Sequence, residues 1–260
     1  MKYYIIAGEA SGDLHASNLM KALKLKDTGS EFRCWGGDLM KEQGAFLVMH
    51  YRDLAFMGFS EVAMNIRTIL GNIRFCKEDI LRYKPDALIL VDYPGFNLRI
   101  AEFAHNAGIK VFYYISPQVW AWKKSRVFRI KKFVDRMFVI LPFEKDFYAR
   151  YDCDVDFVGH PLLDMIAALP VNDRSSFRKV HELTEEPIIA LLPGSRKQEI
   201  IKMLPLMISV VPKFPDYQFV VAGAPSVDRE FYQQIIGASK VVLLSGATHA
   251  LLQNSAAALV

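Results

Sequence analysis

The chain has 260 residues, 52% of them hydrophobic and 23% charged, with a formal net charge of +4. That balance excludes a disordered chain and supplies apolar surface for one large core or two modest ones. The mild charge argues against a general nucleic-acid binder, and no apolar run approaches the roughly 18 residues that cross a bilayer. Cys34, Cys76 and Cys153 are widely spaced without a CxxC pair, which suits small core residues in a reducing cytoplasm.

The first apolar run, Tyr3 to Ile6, reads as a buried strand and passes at once into AGEASGD, Ala7 to Asp13. Gly8 and Gly12 permit a tight turn, and Ser11 or Asp13 can cap a helix carrying Leu14, Leu19, Met20 and Leu23. Glu9 is then expected beyond a strand end, where open α/β sheets bind ligands. His15 is a weaker rival base because it lies inside the helical pattern. The spacing lacks the three glycines of a dinucleotide fingerprint. Further on, Val62, Ile66, Ile69, Leu70, Ile73, Cys76, Ile80 and Leu81 follow helical spacing and predict a buried stripe. Its approach, MGFSEV at Met57 to Val62, suits a surface that dips into a bilayer.

The run ending at Val91 leads into DYPGFN, Asp92 to Asn97, and sets a carboxylate at a strand end before a Pro-Gly turn. A rigidly held carboxylate at a crevice mouth suits a general base, whereas a helix cap or turn hydrogen bond is the plainer role. After the run Val111 to Ile115, the segment to Phe133 joins Trp120 and Trp122 to Lys123, Lys124, Arg126, Arg129, Lys131 and Lys132. Rings beside clustered cations suit a phosphorylated amphiphile or an anionic surface, with a solvated basic face as the alternative.

Met137 to Leu141 is another strand, and a polar stretch between Pro161 and Pro187 marks a junction, dividing the chain into domains 1–165 and 166–260. Ile188 to Leu192 begins the second domain and runs into LLPGSR, where Gly194, Ser195 and Arg196 precede a helix carrying Ile200, Ile201, Leu204 and Ile208. Free N–H groups, the helix dipole and an arginine together suit a phosphate, most naturally a diphosphate leaving group. Phe219 to Ala222 and Val241 to Leu244 are further strands, and Ala256 to Val260 reads as the start of another buried one, so a fragment with an incomplete second domain is expected. Strand runs alternating with helical spacing predict α/β architecture, parallel sheets with helices on both faces.

AGEASGD, MGFSEV, DYPGFN, SPQVWAW, LPFEKDFY, FVGHPLLD and LLPGSRKQEI occur in the order of closely similar segments in lipid-A-disaccharide synthases, so the chain resembles that family over Met1 to Val260. The resemblance implies a GT-B glycosyltransferase, two Rossmann-like domains facing across a cleft, the first for acceptor and the second for UDP-sugar. It implies transfer from UDP-2,3-diacylglucosamine to 2,3-diacylglucosamine 1-phosphate at the inner membrane surface, on its cytoplasmic face, with neither metal nor other cofactor. Nucleic acid is a third reading of the basic run, but the rest of the chain has no RNA- or DNA-binding signature, so no nucleic acid is expected as partner. It makes Asp92 the base, assigns Glu9, Ser11 and Asp13 to shaping the acceptor side, and sets Arg196 on the UDP diphosphate. Trp120, Lys123 and Arg126 are then expected at the acceptor phosphate. Gly95 departs from relatives with a second aspartate there, and further UDP contacts of the family are expected beyond Val260. Another UDP-sugar enzyme of this architecture, or an inactive acyl-sugar-binding fragment, is the alternative.

Overall fold

A computed structural model describes residues 1–54, 66–121, 123–168 and 173–260. The chain divides into two compact units, Met1–Asp164 and Met165–Val260. Met57 to Val62 and Trp122 lie outside the described residues.

The first unit is built on seven strands, β1 (Lys2–Ala7), β2 (Glu31–Gly36), β3 (Phe46–His50), β4 (Ala87–Val91), β5 (Lys110–Tyr114), β6 (Arg136–Val139) and β7 (Asp156–Phe157). They lie in the order β3-β2-β1-β4-β5-β6-β7, and every pairing is parallel. Alternation along β1 divides its side chains between two cores. Tyr4 and Ile6 join Leu88, Leu90, Val111, Tyr113, Met137 and Val139 in the larger one, with Ile73, Cys76 and Ile80 of the helix Ile66–Tyr83. Tyr3, Ile5 and Ala7 face Ala16 and Met20 of the helix Ala10–Lys26. Each fully buried Ile, Leu, Val or Met among them stabilises the unit by about 1.5–3 kcal/mol, which is why central strands read as unbroken apolar runs.

β2, β3 and β7 did not declare themselves in that way. β2 carries Arg33 among buried residues, and Arg33 is accommodated because it forks onto Asp79 at 2.7 and 2.6 Å. Tyr4 also donates to Asp79, at 2.8 Å, and the Trp35 indole donates to the Tyr4 hydroxyl at 2.8 Å. This buried network ties β1 and β2 to the helix Ile66–Tyr83. Burial alone would raise the Asp79 carboxyl, but the hydrogen bonds from Arg33 and Tyr4 outweigh it and hold the group below the usual carboxylate range. The expected stripe on that helix is narrower than its sequence spacing suggests, since Leu70 and Leu81 are exposed. Cys34, Cys76 and Cys153 are buried free thiols.

The second unit holds β8 (Ile188–Leu191), β9 (Gln218–Gly223), β10 (Val241–Ser245) and β11 (Ser255–Leu259), ordered β10-β9-β8-β11 and again parallel throughout. One face packs Ile189, Leu191, Phe219 and Val221 against Ile200 and Leu204 of the helix Lys197–Ile208. The other packs Ile188, Ala190, Val220 and Ala222 against Phe177 and Leu251. β11 forms where a strand was expected, but Ala256, Ala257 and Ala258 are exposed rather than buried. Among the described residues no helix is long and apolar enough to cross a membrane.

Candidate active site

Strand order in the first sheet reverses between β1 and β4, the place where open α/β sheets leave a crevice at their carboxyl ends. The register pairs Ala7 with Val91, so Gly8 and Asp92 leave neighbouring strands at one level. AGEASGD and DYPGFN, far apart in sequence, therefore adjoin. Asp92 and Tyr93 both have left-handed backbones, with φ of 43° and 46°, and Ile115 and Lys123 in nearby loops share that region at 66° and 38°. Non-glycine residues held there cost about 1–3 kcal/mol each and gather at functional sites. Gly8 is required by its neighbour: a Cβ would lie 2.3 Å from Cγ of the Tyr93 ring.

The Asp92 carboxyl is half-buried and pushed up to about 6, chiefly by desolvation and next by the Glu9 charge, while the Tyr93 backbone hydrogen bond and Arg126 pull it down. That is the pKa of a group that is ionised at neutral pH yet retains basicity. Asp92 does not serve as the helix cap. Tyr93 occupies the N-cap position of the helix Pro94–Asn106, with no side-chain cap bond.

The charges of Glu9 and Arg126 thus both act on the Asp92 carboxyl, in opposite directions. Ser11 is exposed in the first turn of the helix Ala10–Lys26 and does not cap it; Glu9 holds the N-cap position. Asp13 is not its cap either. Only 2% exposed, it accepts from the backbone N–H groups of Gly37, Leu39 and Met40 at 2.8, 3.1 and 3.1 Å, and so caps the short helix Asp38–Glu42. Those bonds tie the first turn of the helix Ala10–Lys26 to the segment that follows β2. His15 faces His160 with ring centroids 6.4 Å apart, and burial, then the His160 charge, lower its pKa.

Trp120 packs edge-on to Phe143 with centroids 5.1 Å apart, in a loop anchored where the Ser116 hydroxyl meets that of Tyr148 at 2.8 Å. Lys123 and Lys124 are exposed, but the basic run is not a uniform cationic face. Arg129 pairs with Glu102 at 2.7 Å, and Lys131 donates to the Tyr151 carbonyl at 3.1 Å. Gly95 is exposed, and a side chain there would meet nothing within 4 Å of its Cβ.

Residues overlooked in the sequence complete the turn. The buried Tyr113 hydroxyl donates to the Asp92 backbone oxygen at 2.5 Å, and Asn97, fully buried, donates to the same atom at 2.8 Å. A tyrosine in a buried strand must find a partner for its hydroxyl, and that was the available signal.

In the second unit strand order reverses between β8 and β11, and β8 leads through Leu192 into Pro193, Gly194, Ser195 and Arg196. Gly194 has φ of 103°, and a Cβ there would come within 2.5 Å of Glu199 Oε2. The expectation of free N–H groups is corrected: Glu199 Oε2 accepts from Ser195 N–H at 3.1 Å and Arg196 N–H at 3.2 Å, and Arg196 also meets Glu199 through its guanidinium at 3.3 Å. The Ser195 N–H, with the Arg196 contacts behind it, outweighs the upward push of burial and holds the Glu199 carboxyl below its usual range. A carboxylate already sits where a phosphate was expected, as the capping-box partner of the helix Lys197–Ile208.

A mostly apolar cavity of about 510 Å³ opens elsewhere in the first unit, with Leu19, Leu23, Val158 and Pro161 in its lining, and neither Asp92 nor Glu9 lines it. Among the described residues no group of three or more His, Cys, Asp or Glu side chains is placed to hold a metal ion.

The family described as lipid-A-disaccharide synthetase matches residues 3–260. A curated lipid-A-disaccharide synthase from Syntrophus aciditrophicus is 41% identical over 264 residues, covering 98% of this chain and 68% of the relative. Its counterpart from Trichlorobacter lovleyi is 40% identical over 227 residues, covering 86% of this chain and 59% of the relative. Among solved structures, UDP-GlcNAc 2-epimerase from Neisseria meningitidis, bound to UDP-GlcNAc, superposes with a TM-score of 0.68 at 13% identity, covering 98% of this chain and 76% of that one. At that identity the likeness speaks for the fold alone, the GT-B class built from Rossmann-like α/β domains. The extent of the family match and the level of identity to curated relatives decide the assignment: the chain belongs to the lipid-A-disaccharide synthase family of glycosyltransferases.

Proposed function

We propose that the full-length protein joins UDP-2,3-diacylglucosamine to 2,3-diacylglucosamine 1-phosphate, giving the β-1,6-linked disaccharide 1-phosphate and UDP with inversion. The observation that carries this reading is Asp92, a half-buried carboxyl pushed up to about 6 on a strained turn at the switch point of its sheet. Its carboxylate removes the proton of the acceptor 6-hydroxyl as that oxygen attacks the anomeric carbon. The bond from the anomeric carbon to the diphosphate oxygen breaks, and its electron pair leaves with UDP.

In this reading domain 1–165 receives the acceptor. Glu9 and Ser11 shape its sugar side, Asp13 holds the adjoining loop, and Trp120, Lys123 and Arg126 meet its phosphate. Domain 166–260 receives the UDP-sugar, with the diphosphate on Gly194, Ser195 and Arg196. Glu199 then yields Ser195 N–H and Arg196 N–H to it. The chemistry needs no cofactor. The acylated substrates set the protein at the cytoplasmic face of the inner membrane, and an exposed Phe128, 60% accessible among lysines, suits that surface.

The test is Asp92→Asn in the full-length protein, with disaccharide formation assayed alongside folding by circular dichroism. Turnover is expected to fall by about 10²–10⁴-fold, the usual contribution of a general base. Near-normal turnover in a folded variant removes the reading. Unacylated UDP-GlcNAc as donor in the same assay separates it from another UDP-sugar enzyme.

A further inference from the structure

We infer that Asn97 and Tyr113 are positioning residues for the Asp92 carboxylate, acting through its backbone oxygen without touching substrate. The inference rests on the reading of Asp92 as general base. Asp92 O accepts two side-chain hydrogen bonds, from Tyr113 at 2.5 Å and from Asn97 Nδ2 at 2.8 Å. The donors come from different elements, β5 and the helix Pro94–Asn106, and both side chains are 0% exposed.

The Asn97 amide reaches further than the turn. Its Nδ2 also lies 3.2 Å from Val91 O and 3.5 Å from Ile6 O, so one nitrogen gathers the carboxyl ends of β4 and β1. Three carbonyl acceptors around one nitrogen fix which way the amide points, because only the NH₂ end can donate. The loops leaving those two strand ends are the ones that carry Asp92 and Glu9. The amide therefore sets the carboxylate that acts and also the neighbour whose charge tunes it.

Such a clamp has a physical reason. Asp92 and Tyr93 sit consecutively in left-handed backbone, a state that lasts only where the surroundings over-determine it. Remove one donor, and the turn can relax toward ordinary dihedrals, carrying the carboxylate with it. Neither donor titrates with the base: asparagine is neutral, and burial, followed by the Asp92 charge, pushes the Tyr113 hydroxyl well above its ordinary range. The groups that do act on the carboxyl by charge are Glu9 and Arg126, with the Tyr93 N–H supplying a hydrogen bond. The clamp thus stays constant while Asp92 changes protonation.

The experiment uses full-length wild type, Tyr113→Phe, Asn97→Ala and Asp92→Asn, with kcat, KM and pH–rate profiles measured under detergent-solubilised acylated substrates. Tyr113→Phe removes one oxygen and keeps the ring, so it is expected to fold. Its kcat should drop about tenfold, with KM for both substrates within about twofold and the acid limb displaced, as for a misaimed reacting group. A role confined to stability would shift the melting temperature and leave that split and that limb unmoved. Titration of the Asp92 carboxyl by ¹³C NMR gives a readout independent of turnover, and the pKa should differ from wild type in both clamp variants. Wild-type kcat, acid limb and Asp92 titration in Tyr113→Phe, with Asp92→Asn inactive, overturns the inference alone. An active, folded Asp92→Asn overturns the base reading itself.

Discussion

The Asp92 carboxyl sets the pH behaviour expected of this protein. Because burial and Glu9 push it up to about 6, the fraction able to take a proton falls below that pH, and kcat/KM should show an acid limb there. Glu9→Gln removes one of the two upward influences, so the limb should move to lower pH, as a pH–rate profile of the full-length variant would show. Linkage gives the sign for stability. The folded carboxyl binds its proton more tightly than the unfolded one, so the folded state holds the extra proton between pH ~4 and ~6. Stability therefore falls as pH rises through that window, and the penalty persists above it, amounting to at most about 3 kcal/mol. Asp92→Asn should accordingly melt higher than wild type at pH 7.5 but not at pH 4, while losing activity. Asp92 was legible from its place at a strand end. Its tuning was not, because Glu9 is 83 residues away and adjoins it only through strand pairing.

The turns and strands carry costs that the glycines and the Asp79 network make explicit. At Gly8 an added methyl meets the Tyr93 ring at 2.3 Å, whereas at Gly95 it meets nothing within 4 Å. Gly8→Ala is expected to cost about 1–3 kcal/mol by forcing the ring aside and to lower turnover, since Tyr93 follows Asp92. Gly95→Ala, in the first turn of a helix, should be neutral or stabilise by up to about 1 kcal/mol. Thermal unfolding of the pair separates the two. Asp79 is 2% exposed and accepts from Arg33 and Tyr4, so Asp79→Ala strands a partly buried guanidinium and should cost about 3 kcal/mol or more by denaturant titration. The central strands were readable because burial on both faces leaves an apolar run. β2 was hidden by Arg33, whose charge is tolerated only because a helix more than forty residues away brings Asp79 to it.

Across the whole molecule, two units with separate cores imply separable unfolding. Calorimetry of the full-length protein should resolve two transitions. UDP at about 100 times its Kd should stabilise the one belonging to the second unit by about 2.7 kcal/mol, and Arg196→Ala should abolish the shift. By itself the sequence determined the α/β class, the strand-to-helix turns that hold Asp92 and Arg196, and the resemblance to one family. These are local properties: apolar runs, glycine turns and ordered motifs are written within a few residues of one another. Only tertiary structure decided that β1 and β4 are neighbours, that Asp13 caps a second helix, that Glu199 takes the Ser195 and Arg196 N–H groups, and that Asn97 and Tyr113 grip the Asp92 carbonyl. The Glu199 contact is a local helix cap, whereas the others follow from strand order and from the need of buried polar groups for partners, which come from other elements of the fold.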